Sequence, residues 1–244
     1  DHFLMQRKRI EAICNGIIDK KLEFHWGCEG RVDSLAVEEL PLMVKANCTF
    51  LAFGVEAGTQ KVLNRLKKGQ TIEQIEHAVK QAKKDGIETA HGFFLIGSPD
   101  ETTKDILESF RFAVRLKLDT FSFSRLCVYR GTPLWQEYVE RGIIDDDRDW
   151  HKWFKCSDID PTILPSEVVH QARKKGYMLL FGYLLLLRPV ATFKLLRKFS
   201  RYMTTSDICT LLWGPFSKKA KTRKPELPER MIEQGLDSPI RTAS

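Results

Sequence analysis

Four short apolar segments alternate with amphipathic helical segments, and this alternation constrains the fold more than any other feature of the chain. The apolar segments are rich in aromatic and β-branched residues, and they cover residues 24–28, 49–55, 89–96 and 120–129. Helical spacing of apolar residues covers residues 4–20, 35–47, 72–84 and 103–117. Strands and helices in this order form βαβ units around a parallel sheet. The sequence therefore predicts an α/β fold, with the sheet either open or closed into a barrel.

Charged residues and glycines gather at the carboxyl ends of the predicted strands, where α/β proteins bind their ligands. Glu56 ends a strongly apolar run, and a carboxylate there needs a cationic or hydroxyl partner. Arg31 follows the first strand, and its guanidinium can hold a carboxylate through two hydrogen bonds. Gly92 and Gly97 would let the backbone approach a ligand closely. These positions are candidates for a binding site at one edge of the sheet.

Each of these features also has a purely structural explanation. Glu56 and Arg31 could form an ion pair at the rim of the sheet. Residues 97–99 could form a simple turn from strand to helix, and residues 67–69 could be a solvated helix end. The order in which the features follow one another favours a functional site over these separate explanations.

The six cysteines stand at positions 14, 28, 48, 127, 156 and 209, without CxxC or CxxxCxxC spacing. This spacing excludes a local zinc or iron–sulfur loop within the sequence. Scattered cysteines without a signal peptide favour a reducing, cytoplasmic location and buried thiols.

The positive charge of the chain is concentrated near its C-terminus. Residues 173–224 contain 13 Lys or Arg and one acidic residue, which gives this segment a net charge of +12. The whole chain carries only +7, because the remaining residues are net negative. The apolar run 177–187 is too short to span a membrane. Residues 190–202 mix aromatic and basic residues, as interfacial helices do. We expect peripheral contact with the inner face of a membrane through residues 177–202 rather than nucleic-acid binding; the alternative is a core helix with a solvated basic face.

Four motifs in order resemble the catalytic domain of radical S-adenosylmethionine (SAM) enzymes, most closely the subgroup with a cobalamin-binding domain. They are W-G-C-x-x-R-x-D, F-G-V-E-x-G with a later K-G-x-T, G-F-F-x-I-G-x-P-x-E-T, and Y-x-G-T-P-L-W. The resemblance implies a partial (β/α)6 TIM-like barrel, incomplete at its N-terminus, over residues 1–144. A mainly helical extension would follow over residues 145–216, and a disordered tail over residues 217–244.

The resemblance also assigns cofactors and site residues. It implies a [4Fe–4S] cluster that cleaves SAM to a 5′-deoxyadenosyl radical, a reductant protein as partner, and a small-molecule or lipid-like substrate. Methyl transfer with cobalamin is common in the subgroup. By position, Glu56 matches a contact with the ribose or amino-acid part of SAM, Lys68 a partner of its carboxylate, and Arg31 a polar residue of the preceding strand. The segment along the adenine and ribose contains Gly92, Ile96, Gly97, Pro99 and Glu101.

Two departures from the family pattern affect this prediction. Asp100 stands where a glycine usually follows the proline, and the cluster motif CxxxCxxC is absent. We therefore expect an N-terminally truncated portion of a longer enzyme that is inactive alone. The alternative is a barrel without a cluster that acts as a binding or membrane-associated scaffold.

Overall fold

A computed structural model describes residues 3–34, 37–126, 128–142, 166–190, 192, 193 and 197. The strands are β1 (Trp26–Gly30), β2 (Cys48–Glu56), β3 (Thr89–Ile96) and β4 (Thr120–Arg125). The helices are α1 (Arg7–Asp19), α2 (Leu40–Lys45), α3 (Gln60–Arg65), α4 (Ile72–Asp85), α5 (Thr103–Arg115), α6 (Pro133–Glu140) and α7 (Ser166–Leu187). Short 3₁₀ turns cover Phe3–Met5, Val32–Ser34 and Val37–Glu39. The tail 217–244 and most of the expected helix 190–202 lie outside the described residues.

The four strands form one parallel sheet in the order β1-β2-β3-β4, which is the sequential order of a (β/α) barrel segment. The α/β class and the partial-barrel architecture are thus confirmed. In register, Ala52 of β2 lies beside His91 of β3, which lies beside Thr120 of β4. Because side chains alternate along a strand, this register places whole rows of side chains on the same face.

The helices pack on one face of the sheet and form the main hydrophobic core. Phe94 stacks on Phe123 with ring centroids 4.4 Å apart, and Phe110 of α5 stacks on Phe123 at 3.8 Å. Tyr177 of α7 meets Phe110 edge to face at 5.5 Å. These contacts make the N-terminal half of α7 part of the core that β3, β4 and α5 share.

The C-terminal helix is longer than the apolar run 177–187 predicted. It begins at Ser166 because Val169 and Ala172 also reach the core, and it ends at Leu187 before Pro189. Arg188 then donates to the carbonyls of Lys117 and Leu118, which fastens this end to the loop before β4. Among the described helices, none combines the length and apolar character that a membrane crossing requires.

Helix capping follows the sequence closely. Thr71 and Gln74 form the predicted capping box of α4, and Gly86 ends that helix with φ 104°.

The predicted fourth strand, 120–129, was too long at its carboxyl end. The strand stops at Arg125, and Val128 instead packs in a separate small cluster with Trp135 and Tyr138 of α6.

Candidate functional site

The site is built around Glu56, the last residue of β2. Its φ is 67°, and the Ala57 amide donates to the Val55 carbonyl over 2.8 Å across it. This is the geometry of a tight three-residue turn, which is rare for a residue with a side chain. The strand register shifts between Gly54 and Glu56, so the turn coincides with a bulge in the pairing with β3. Bulges of this kind re-aim a side chain at the edge of a sheet.

The Glu56 carboxylate is held beside the backbone of Gly54 and paired with Lys68. A Cβ at Gly54 would lie 3.1 Å from Glu56 Oε1, so the bare glycine makes room for the carboxylate. The Lys68 ammonium donates to the same Oε1 over 3.0 Å. The side chains of Glu56 and Lys68 retain 17% and 28% of their exposure, so a ligand can reach both charges. The prediction that Glu56 pairs with a cationic or hydroxyl group is confirmed, and the partner is Lys68.

Gln70 positions the Lys68 loop, and the sequence analysis missed this residue. Its amide donates to the carbonyls of Gly54 and Val55 over 3.0 and 3.1 Å, and its side chain is buried. Gln70 thereby ties the segment that carries Lys68 to the end of β2. The only sequence signal was its place as the variable residue of K-G-x-T, which does not specify an amide.

Arg31 lies at the same edge, but its guanidinium is engaged with other groups. It donates to both oxygens of Asp33, over 2.9 and 2.7 Å, and to the Lys68 carbonyl over 2.5 Å. The sequence left open an ion pair between Glu56 and Arg31. The structure instead pairs Glu56 with Lys68 and Arg31 with Asp33. Arg31 braces the Lys68 loop from the β1 side.

The loop after β3 is organised by Glu101. One oxygen of its buried carboxylate accepts the amide hydrogens of Gly97 and Ser98, over 2.6 and 2.9 Å. The other oxygen is buried without a hydrogen-bond partner. Burial raises the pKa of Glu101 to about 7, although the two amide donors act in the opposite direction. Glu101 therefore holds the loop Gly97-Ser98 in place rather than presenting its charge to solvent.

The backbone conformation of Asp100 shows why a glycine is usual after the proline. Its φ is 62°, in the left-handed region that glycine occupies without strain and aspartate tolerates better than most residues. Arg65 of α3 donates to the Asp100 carboxylate over 3.1 Å and also pairs with Glu137 of α6. The departure from the family pattern thus keeps the backbone conformation and gains a link between the loop and α3.

The remaining predicted site residues lie apart from Glu56 and Lys68. Ile96 is fully buried in the core, and a Cβ at Gly92 would meet Leu118 at 2.5 Å on the helix-covered face. Gly97, with φ 90°, and Pro99 stand in the loop that follows β3. The structure therefore brings together Arg31, Glu56 and Lys68, with the Gly97 loop at the neighbouring strand end.

The described cysteines do not fit a cluster site. Cys14 and Cys48 are buried in the core, as expected for small apolar residues, and Cys28 is partly buried beside them. Burial raises the pKa of the Cys14 thiol to about 11. The pKa of Cys28 is also raised, first by its hydrogen bond to Cys48. Within the described part of the chain, no three Cys, His, Asp or Glu residues could hold a metal ion together.

The Glu56–Lys68 pair does fit a zwitterionic ligand such as SAM. SAM carries an ammonium group, a carboxylate and two ribose hydroxyls. Glu56 offers a carboxylate acceptor and Lys68 offers N–H donors, and both are partly exposed at the edge where ligands bind in α/β folds.

Comparison with known proteins gives consistent results. The family model of the radical SAM superfamily matches residues 2–113. An uncharacterized methyltransferase of Pyrococcus horikoshii is 30% identical over 182 residues, which cover 73% of this chain and 39% of that protein. The anaerobic magnesium-protoporphyrin IX monomethyl ester cyclase of Rubrivivax gelatinosus is 30% identical over 56% of this chain and 25% of that protein.

A solved structure shows the same fold. The radical SAM methyltransferase TsrM from Kitasatospora setae superposes with a TM-score of 0.51 and 19% identity, over 58% of this chain and 29% of that one. The chain thus spans about two fifths or less of each of these proteins. The match to the family model identifies residues 2–113 as a radical SAM domain.

Proposed function

We propose that this chain supplies the SAM-binding part of a radical SAM enzyme, with Glu56 and Lys68 as its charged contacts to SAM. The observation that carries the proposal is the partly exposed Glu56–Lys68 ion pair, 3.0 Å across, on the strained turn that ends β2. Strained backbone of this kind persists where function requires a side chain in one position.

In this proposal the two side chains exchange partners when SAM binds. Lys68 turns from Glu56 to the SAM carboxylate, and Glu56 accepts hydrogen bonds from the ammonium group or the ribose hydroxyls. Each member of the internal pair thereby gains a ligand group in exchange for its former partner, so neither Glu56 nor Lys68 is left without a hydrogen-bond partner at the strand end. Arg31 and Gln70 hold the Lys68 backbone, so only its side chain has to move.

When bound, the [4Fe–4S] cluster supplies the electron that cleaves SAM to methionine and a 5′-deoxyadenosyl radical. Since the described cysteines do not fit a cluster and the sequence has no CxxxCxxC, we propose cluster ligands outside these 244 residues. The chain alone then binds SAM without forming 5′-deoxyadenosine. Cobalamin-dependent methyl transfer is the finer part of the proposal. The similarity to the uncharacterized methyltransferase of Pyrococcus horikoshii supports methyl transfer, and the subgroup resemblance supports cobalamin.

The experiment is equilibrium binding of SAM to the 244-residue chain by calorimetry. We expect Glu56→Ala and Lys68→Ala each to raise the Kd for SAM about tenfold, equivalent to about 1.4 kcal/mol, because each removes one charged contact. The matched controls are Glu76→Ala and Arg115→Ala, which break an exposed 3.0 Å pair on the helix side and should leave the Kd unchanged. If both site variants bind SAM as the parent chain does, the assignment of Glu56 and Lys68 is wrong.

A second proposal concerns the end of α7. Leu185, Leu186 and Leu187 are largely exposed, and so are Val190 and Phe193 beyond the helix. This apolar end precedes a sequence segment dense in Lys and Arg, so its chemistry suits an anionic membrane surface. Within the expected contact region 177–202, Tyr177 and Leu180 are buried against the core, whereas Met178 and Leu179 are exposed like the leucines at the end of the helix.

Co-sedimentation with vesicles that contain phosphatidylserine tests this membrane contact. We expect binding at 50 mM salt, roughly tenfold weaker binding at 500 mM salt, and a similar loss in the double variant Leu186→Gln/Leu187→Gln. Leu22→Gln changes another exposed leucine, far from α7 in the sequence, and should bind like the parent chain. Absence of sedimentation with anionic vesicles at low salt would rule out the contact.

A further inference from the structure

The sheet face opposite the helices carries a row of three aromatic rings. Phe50 of β2, His91 and Phe93 of β3 all point to this face, by the alternation of side chains and by the register with β2 and β4. The His91 ring lies 4.6 Å from Phe93, edge to face, and 6.1 Å from Phe50. Phe50 and Phe93 are more than one third exposed, at 36% and 37%.

His91 is held as a neutral member of this row. Its Nδ1 lies 2.7 Å from the Thr120 hydroxyl, and its Nε2 lies 3.3 Å from the Ser122 hydroxyl. Burial lowers the pKa of His91 to about 4, so the imidazole is uncharged at neutral pH. The ring therefore behaves as a third aromatic surface, fixed in orientation by two hydroxyl groups.

The row of rings is bordered by glycines of β1 and β2 on one side and by hydroxyl groups of β4 on the other. A Cβ at Gly27 would lie 2.7 Å from the Phe50 Cβ, so glycine lets Phe50 lie directly over β1. Gly54 stands beside Phe93 in the register, again without a side chain between strands. On the other side, β4 presents Thr120, Ser122 and Ser124 to the same face, a line of hydroxyls that can donate and accept.

Charge on this face further restricts what it can bind. Along the four strands, the residues that alternation places on this face include the carboxylate Glu29 but no Lys or Arg, and Glu56 follows the bulge at the end of β2. These strands offer a polyanionic ligand such as a nucleotide no counter-charge, and Lys68, at the end of β2, is assigned to the SAM carboxylate. A neutral, flat, conjugated molecule would stack on the rings and place its polar edge on the β4 hydroxyls.

We propose that Phe50, His91 and Phe93 form the substrate platform of this domain and that the substrate is a planar conjugated ring system with hydrogen-bonding groups along one edge. The proposal rests on the proposed function, because Gly54, two residues before Glu56, lies beside Phe93 in the register, and Glu56 would therefore hold SAM next to the Phe93 end of the platform. An acyl-chain lipid, which the sequence analysis left open as substrate, makes poorer use of rings and hydroxyls in this arrangement.

The test uses acridone, a neutral fluorescent tricycle with a C=O group on one edge and an N–H group on the opposite edge, so that either edge can meet the β4 hydroxyls. It is titrated with the 244-residue chain and followed by fluorescence polarisation. We expect Phe50→Leu/Phe93→Leu to weaken acridone binding at least tenfold, because leucine keeps the apolar character and removes the rings. His91→Phe keeps a ring and should bind within about threefold of the parent, whereas His91→Ala should bind several-fold more weakly. Phe24→Leu, at another exposed phenylalanine before β1, is the matched control.

Folding and specificity are checked in the same series. Each variant is compared with the parent by thermal unfolding, so that lost binding is read only in folded protein. Dodecanol serves as a lipid-like competitor, and acridine serves as a planar one. If dodecanol displaces acridone as well as acridine does, the platform does not select planar rings and the proposal fails. Unchanged acridone binding in the double leucine variant overturns it too. SAM binding of the parent chain is measured separately, so a failure of the proposed function is distinguishable from a failure of the platform.

Discussion

The free energy of unfolding of the Glu101→Gln variant is expected to lack a decrease of about 3 kcal/mol that Glu101 causes in the parent chain as the pH rises from 4.5 to 7. The native pKa of this carboxyl is raised to about 7, from 4.5 for an ordinary glutamate. Between these two values the native state keeps a proton that the unfolded state has lost. Rising pH therefore favours the unfolded state by about 1.4 kcal/mol per pH unit until Glu101 ionises.

His91 acts in the opposite direction over an overlapping range. Its native pKa is lowered to about 4 from 6.5, so its contribution to stability is present above 6.5 and is lost as the pH falls toward 4. The parent chain alone can thus show a nearly flat profile. The informative quantity is the difference between Glu101→Gln and the parent at each pH, which isolates Glu101.

The measurement is urea unfolding of both proteins at several pH values from 4.5 to 8, followed by circular dichroism. A constant offset between them is not diagnostic, because the glutamine NH₂ also has to be accommodated in a buried place. Glu140→Gln, at an exposed carboxylate of α6, should give a profile parallel to the parent. A parallel profile for Glu101→Gln would show that the buried carboxyl ionises like an ordinary glutamate.

Local signals in the sequence predicted the fold well. The capping residues Thr71 and Thr102 act within three residues of themselves, so the starts of α4 and α5 follow from neighbouring residues alone. The last motif, G-T-P-L-W, is also local: Thr132 caps α6 and Pro133 occupies its first turn. The end of β4 was harder to place, because Val128 is apolar for a separate cluster and not for the sheet.

The partners in the site could not be predicted in the same way. Glu56 and Lys68 are 12 residues apart, and Arg31 reaches a carbonyl 37 residues away. Such pairings depend on where the loops fold back, and residue types alone allow several. The left-handed turn at Glu56 is equally hidden, since the sequence pattern reads as an ordinary strand end. Side-chain chemistry thus indicated which residues need a polar partner at the strand ends, and tertiary structure decided which partner each one has.

Gly58 illustrates a motif residue whose role is packing rather than ligand binding. In F-G-V-E-x-G it closes the loop after β2, and its amide donates to the Ser109 hydroxyl over 2.9 Å in the buried contact with α5. A Cβ at Gly58 would lie 2.5 Å from Ser109 Cα and 2.8 Å from the Glu108 carbonyl oxygen. These are backbone atoms of a helix, and no change of rotamer can relieve the overlap.

We expect Gly58→Ala to lower the free energy of unfolding by about 3 kcal/mol, the upper part of the range for overpacked sites, because α5 must shift away from the loop. Ser109→Ala keeps the glycine and removes only the hydroxyl, which accepts from the Gly58 amide and donates to the Asp105 carbonyl, so it should cost about 1–2 kcal/mol. Gly16→Ala in α1, where a Cβ meets nothing within 4 Å, should instead stabilise the protein by up to about 1 kcal/mol.

Chemical unfolding of the three variants and the parent in one buffer measures these differences. Since Gly58 stands two residues after Glu56, a shift of its loop also displaces the carboxylate that we assign to SAM. Gly58→Ala should therefore weaken SAM binding at a temperature where it is still folded, whereas Ser109→Ala should do so less. Surface substitutions usually change the free energy of unfolding by less than about 0.5 kcal/mol. If the free energy of unfolding of Gly58→Ala differs from that of the parent chain by no more than this, the close approach of the loop to α5 does not constrain the domain.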